Sequence, residues 1–252
     1  MKTAEEIYLE TLNAYVKTTA RKADLPIIGE YNQDTEKIWV FGDIHGCYNH
    51  LKLLLSVIDY KGEGKLIFLG DYVDRGKYSF EVIETIKDLQ KKYGNDKVIA
   101  LLGNHEDSLL DAYETNIYTD EQRGTLKSYK KNNANLDVEW LESLPLYHID
   151  GDYFFVHAGV NSYLPLEKQD RHDLLWIREK FYLSPKQFEK RIIFGHTPIL
   201  LIYPRSVNRV NYVGDNIAMD TCCFATGKLS CLELPTYTIY ETQKEVYFYD
   251  KE

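Results

Sequence analysis

The chain has 252 residues, enough for one large domain or two small ones with a sizeable core. Its 30 Lys and Arg against 39 Asp and Glu leave a net charge of -9, which argues against nucleic acid as a partner, because nucleic-acid binders carry a basic footprint. No run approaches the roughly 18 apolar residues that cross a membrane, and the opening Met1 to Glu6 has no apolar signal core, so a cytoplasmic protein without a membrane partner is expected.

Residues 1–35 read as a helical extension and linker. Ile7, Leu9, Leu12, Tyr15 and Val16 share an apolar face, and Pro26, Gly29 and Asn32 then break the pattern. This segment packs on the body or acts in substrate access. One domain follows, over 36–252. Ile38 to Phe41 is an apolar strand ending at Gly42, and Leu51, Leu54, Leu55 and Ile58 give helical spacing behind it. Leu66 to Leu69 is a second strand, Phe80 to Ile83 opens a second helix, and Val98 to Leu102 is a third strand ending at Gly103. Repeated strand-loop-helix units predict an α/β fold with a parallel sheet, its strand ends gathered on one edge.

Residues 113–146 differ. They are polar, with Asn132, Asn133 and Asn135 close together, little apolar period, and a short helix at Val138 to Leu141. They read as an insertion over the surface, either a lid or a structural cap. Tyr147 to Ile149 and Tyr153 to Val156 form a hairpin around Asp150-Gly151-Asp152, and Arg191 to Phe194 is a buried strand ending at Gly195. Asn216 to Asp220, Leu229 to Leu234, Tyr237 to Glu241 and Val246 to Tyr249 read as a run of antiparallel strands, which predicts a second sheet packed on the first. The cysteines, Cys47, Cys222, Cys223 and Cys231, show no Cys-x-x-Cys pair and read as small buried hydrophobes of a reducing cytosol.

Five segments each follow an apolar run: Gly42-Asp43-Ile44-His45-Gly46, Gly70-Asp71-Tyr72-Val73-Asp74-Arg75-Gly76, Gly103-Asn104-His105-Glu106, His157-Ala158-Gly159 and Gly195-His196-Thr197. Loops at the carboxyl ends of strands are where open α/β sheets place ligands. Together these loops supply a mixed oxygen and nitrogen donor set without thiolates, which suits manganese, iron or zinc better than calcium. The set is large enough for two metals with a carboxylate between them. Arg75 adds the planar fork that grips a phosphate. Asp43 and His45, two apart, point to the same side if the segment is extended and so can share one ion. Asn104 and His105 are adjacent and must point differently, so one is a ligand and the other something else.

The order GDIHG, GDYVDRG, GNHE, HAG and GHT resembles the calcineurin-like metallophosphoesterases. The full GDYVDRG and GNHE forms are similar to the phosphoprotein phosphatase branch, especially its small bacterial and bacteriophage members. The match runs from about Trp39 to Thr226. The resemblance implies an α/β/β/α sandwich of two sheets with a dinuclear site at the strand ends. It implies that Asp43 and His45 bind the first metal, that Asp71 bridges both, and that Asn104, His157 and His196 complete the second. It implies that His105 is the general acid, oriented by Asp74. It sets Arg75 and Asn104 against the phosphoryl oxygens, and Arg178, in the segment Asp173-Leu174-Leu175-Trp176-Ile177-Arg178, as a second phosphate-binding arginine.

The implied activity is metal-dependent phosphomonoester hydrolysis, with direct in-line attack by hydroxide bridging the metals. The expected substrate is a phosphoprotein or phosphopeptide, dephosphorylated at serine or threonine. The alternative is symmetrical hydrolysis of a dinucleoside polyphosphate such as diadenosine tetraphosphate. Glu106 after Asn-His resembles the protein-phosphatase form, since the tetraphosphatases tend to carry Asp there. A metal-binding scaffold without turnover and a nuclease are rivals from other classes. The intact ligand set with His105 counts against the first, and the acidic balance against the second.

Overall fold

The structure, a computed structural model, describes residues 21–22, 36–204 and 209–242. The helix expected around Ile7 to Val16 and the strand expected at Val246 to Tyr249 lie outside the described residues. In chain order the strands are β1 (Arg21–Lys22), β2 (Ile38–Phe41), β3 (Lys65–Phe68), β4 (Val98–Ala100), β5 (Tyr147–Asp150), β6 (Tyr153–Val156), β7 (Arg191–Phe194), β8 (Asn211–Val213), β9 (Asn216–Ala218), β10 (Ser230–Leu234) and β11 (Thr238–Glu241). They make two sheets, one ordered β1-β11-β10-β2-β3-β4 and the other β5-β6-β7-β9-β8. β2, β3 and β4 run parallel, as do β6, β7 and β9.

Alternating strand residues face two different cores. Val40, Ile67, Ile99 and Leu232 of the first sheet meet Phe155, Ile193 and Ile217 of the second in the layer between the sheets. The opposite face of the first sheet, Trp39, Phe41, Leu66 and Phe68, packs under α1 (Tyr48–Ile58) and α2 (Ser79–Tyr93) through Leu51, Leu54, Val82 and Ile86. Phe154, Val156, Ile192 and Phe194 cover the outer face of the second sheet with Leu174 and Phe181. The result is an α/β/β/α sandwich. Strands buried on both faces carry no polar alternation, which is why they read as continuous apolar runs in the sequence.

The strands after Asn216 do not form one antiparallel run in a second sheet. β9 enters the second sheet parallel to β7, whereas β10 and β11 cross to the first. There β10 pairs antiparallel with β2, from Cys231 opposite Phe41 to Leu234 opposite Ile38. This pairing covers the edge that β2 would otherwise expose.

Three helices occupy much of 104–142: α3 (Asn104–Thr115), α4 (Asp120–Lys131) and α5 (Val138–Glu142). A capping box starts α4, with Thr119 Oγ1 accepting from Gln122 N and Gln122 Oε1 accepting from Thr119 N. Its buried face is Gln122, Thr125, Ser128 and Tyr129. That face is three-quarters polar, so the helical period is present but not as a hydrophobic one. It packs on α2, where the Tyr129 ring meets Phe80 edge-on at 5.2 Å and Ser128 Oγ accepts from Phe80 N. Beyond β6, short helices α6 (Arg171–Trp176), α7 (Glu179–Tyr182), α8 (Ile199–Ile202) and α9 (Cys223–Thr226) complete the described residues, none of whose helices is long and apolar enough to cross a membrane.

Candidate metal centre

The five glycine-bearing segments follow β2, β3, β4, β6 and β7, and the parallel strands bring them to one end of the sandwich. Two glycines make room for carboxylates. A Cβ on Gly195 would run into Asp43 Oδ1, and one on Gly103 into Asp71 N and Oδ1. Asp43, His45, Asp71, Asn104, His157 and His196 are all buried.

Asp71 lies in the middle. Its Oδ2 is 3.4 Å from His45 Nε2 and its Oδ1 is 3.4 Å from His157 Nε2. On the His157 side, Asn104 Oδ1 lies 2.8 Å from His157 Nε2 and 2.7 Å from His196 Nδ1. Asp71, His157 and His196 could hold one ion, and His45, Asp71 and His105 another. Of the six predicted ligands, His45, Asp71, His157 and His196 fall in these two clusters, which share Asp71. Asn104 lies beside the His157 cluster, Asp43 is in neither, and His105, expected as an acid, takes a ligand-like place in the other.

Asp43 is placed differently from the simple expectation. The segment is not extended at His45, where φ is +46°, so spacing by two does not align the side chains. Instead, both Asp43 oxygens accept from His196 N, at 3.0 and 3.1 Å. Burial pushes the Asp43 carboxyl well up, and the neighbouring Asp220 and Asp71 charges add to this.

The donor chemistry fits divalent cations. His157 Nδ1 lies 2.9 Å from Leu69 O, and His45 Nδ1 lies 2.8 Å from Val73 O. A carbonyl only accepts, so both protons sit on Nδ1 and each Nε2 offers a bare lone pair. For His157 that lone pair faces two further acceptors, Asn104 Oδ1 and Asp71 Oδ1. Burial lowers the pKa of His157, and it holds His45 down to about 4 against the pull of Asp71, so both rings are neutral near pH 7. In the other cluster a protein cation faces the lone pairs. Arg75 Nη1 donates to His45 Nε2 at 3.0 Å and Nη2 donates to His105 Nε2 at 3.1 Å.

Asn104 and His105 do point differently. The His105 ring turns away from Asn104, and its Nδ1 donates to Asp74 Oδ2 at 2.8 Å. Burial lowers its pKa, but the Asp74 hydrogen bond and the Asp71 charge outweigh this and leave it raised. Arg178 sits just ahead of α7, and its Nη1 donates to Thr197 Oγ1 at 3.2 Å beside His196. The two arginines thus flank opposite clusters. Half of the ten predicted site residues, His45, Asp71, Asp74, Arg75 and His196, have positive φ, which costs about 1–2 kcal/mol for each non-glycine residue.

Two further residues belong to the site. Asp220 follows β9 as the other motifs follow their strands. It is buried, and burial pushes its carboxyl up to about 6 against the Cys222 N–H that it accepts. Glu106, read in the sequence only as a mark of family branch, is fully buried and accepts four backbone N–H groups. Oε1 takes Tyr72 N at 2.8 Å and Val73 N at 3.1 Å, while Oε2 takes Asp71 N at 2.8 Å and Gly103 N at 3.1 Å. Burial and the Asp71 charge push this carboxyl up, toward about 8. Four donors on two oxygens, however, leave a proton no lone pair without displacing an N–H.

The chain belongs to the calcineurin-like phosphoesterases, whose family profile matches residues 36–228. It is 32% identical over 164 residues to a symmetrical bis(5'-nucleosyl)-tetraphosphatase of Nitrosospira multiformis, covering 64% of this chain and 57% of that one. The chain thus spans less than two thirds of that relative's length. It is 28% identical over 224 residues to serine/threonine-protein phosphatase 2 of Salmonella typhimurium, covering 78% of this chain and 92% of the relative. A serine/threonine phosphatase structure from Saccharomyces cerevisiae, 21% identical, shares the fold with a TM-score of 0.60 over 97% of this chain and 91% of that one.

Glu106→Gln places an amide N–H₂ against backbone donors and leaves at least one buried N–H without an acceptor. The unfolding free energy, measured in urea, should fall by about 1–3 kcal/mol. Unchanged stability would mean that the loop amides find other acceptors.

Proposed function

We propose that the chain is a metal-dependent phosphomonoesterase acting on phosphoserine and phosphothreonine in proteins. The observation that carries this reading is the state of His105. Among the site histidines it has the most exposed side chain, at 13% against 1% for His45 and 0% for His157, and it is tied to a carboxylate. A ring at the mouth of the site, held by Asp74 and facing the paired clusters, is placed to give a proton to a leaving alkoxide.

In this reading Asp43, His45 and Asp71 would hold one divalent cation, and Asp71, Asn104, His157 and His196 the other. Manganese is the ion we assign, with iron or zinc compatible with the same donors. When bound, such a pair polarises the phosphoryl group and lowers the pKa of water. Arg75 swings from His45 and His105 to the phosphoryl oxygens, and Arg178 meets them from the His196 side. Both stabilise charge that grows on those oxygens in the transition state. The Asp74 carboxylate favours the imidazolium form of His105, which a general acid needs. The long coverage of the Salmonella phosphatase agrees with the protein-substrate reading without selecting it over the nucleotide one.

A second reading, hydrolysis of dinucleoside polyphosphates, is favoured by Phe224. Its ring is 42% exposed, lies 4.7 Å from the Arg75 guanidinium and meets His45 edge-on at 5.5 Å. It offers a flat apolar surface to a nucleobase beside the phosphate clamp.

His105→Asn should keep its metal and lose roughly 100-fold or more in kcat on alkyl phosphates, with a much smaller loss on aryl phosphates, whose leaving groups need no proton. Equal losses on both would remove His105 from the acid role. The substrate is decided by comparing kcat/KM for a phosphothreonine peptide and for diadenosine tetraphosphate, in manganese with chelator controls. We expect the peptide to be preferred; preference for the dinucleotide would replace the first reading by the second.

A further inference from the structure

We propose that Thr125, supplied by α4, is a positioning residue for the Asp74–His105 pair. Its side chain is wholly buried. The hydroxyl donates to Asp74 Oδ1 at 2.7 Å, accepts from Asp74 N at 3.0 Å and lies 3.3 Å from Ser79 Oγ. A hydroxyl has one proton and two lone pairs. The proton is committed to Asp74, so Ser79 is the donor of the third bond and the hydroxyl is saturated.

Asp74 is thereby gripped at two points, its backbone N–H and one carboxylate oxygen. It needs that grip, because its φ is +65°, a conformation that a non-glycine residue keeps only where its surroundings over-determine it. With Oδ1 fixed by Thr125, Oδ2 is left to accept from His105 Nδ1 at 2.8 Å. The carboxylate cannot rotate without breaking the Thr125 bond. The His105 ring therefore inherits both its tautomer and its direction, with Nδ1 on Asp74 and Nε2 toward Arg75 and Asp71.

The anchoring of α4 serves this purpose. Thr119 and Gln122 cap its start, and Ser128 and Tyr129 fix it to α2. The 113–146 segment thus reaches Asp74 through the Thr125 hydroxyl, and the same helix sets Glu121 Oε2 3.9 Å from Arg75 Nε. This inference rests on the reading of His105 as the proton donor.

The test uses full-length Thr125→Val, Thr125→Ser and His105→Asn proteins with manganese. An alkyl phosphate and p-nitrophenyl phosphate are the paired substrates, and bound metal is counted for each protein. Thr125→Val should keep the wild-type metal content and KM. Its kcat should fall roughly 10- to 100-fold on the alkyl phosphate, the range for residues that orient a functional side chain, and far less on p-nitrophenyl phosphate. Thr125→Ser, which retains all three hydrogen bonds, should restore activity. If the valine variant does not fold, Thr125→Ala removes the same hydroxyl without setting a methyl group against Asp74. Equal losses on the two substrates, or no rescue by serine, would overturn the proposal. Leaving-group dependence in His105→Asn but not in Thr125→Val would sink the Thr125 inference alone. Its absence in both would take the reading of His105 with it.

Discussion

The carboxylate of Glu106 accepts N–H groups from Asp71, Tyr72, Val73 and Gly103, and so ties the loop after β3 to the loop after β4. Five of the ten predicted site residues lie within two residues of that knot. Asp71 sits between the two clusters, Asp74 and Arg75 follow in the same loop, and Asn104 and His105 start α3 directly above Glu106. A charge-assisted bond to each amide is stronger than a neutral one, and at a buried carboxylate four of them hold a backbone that would otherwise relax. An aspartate is one methylene shorter, so this span is a reason in geometry for glutamate at the position.

The knot explains how the loops tolerate their strain. His45, Asp71, Asp74, Arg75 and His196 all take the left-handed conformation. Each is held by contacts from another segment: His45 by Val73 O, Asp71 by Glu106, Asp74 by Thr125, Arg75 by His45 and His105, and His196 by Asp43. The left-handed backbone at Asp74 and Arg75 turns adjacent side chains in different directions, and the start of α3 does the same for Asn104 and His105. The proposed ligand, acid and phosphate clamp can then come from neighbouring residues.

The sequence disclosed the parts whose cause is local. Strands buried on both faces show as unbroken apolar runs, and most of these runs end at or next to a glycine. The ligand types and their gathering at one end followed from the same pattern. Missing were the features whose cause is distant. β10 joins β2 across nearly the whole chain, a pairing that no local signal announces. The face that α4 buries is Gln122, Thr125, Ser128 and Tyr129, so it left no hydrophobic period to find. The reach of Glu106 appears only once two loops meet. The left-handed turn at His45 defeated a spacing rule that assumes extended chain.

The central proposal is that Asp71 would help to hold two cations, one in each of the clusters it joins. The most direct measurement is anomalous diffraction from crystals grown with manganese. Two peaks are predicted, one against His45 and Asp71 and the other against Asp71, Asn104, His157 and His196. A single peak, or peaks that do not touch Asp71, would contradict the account.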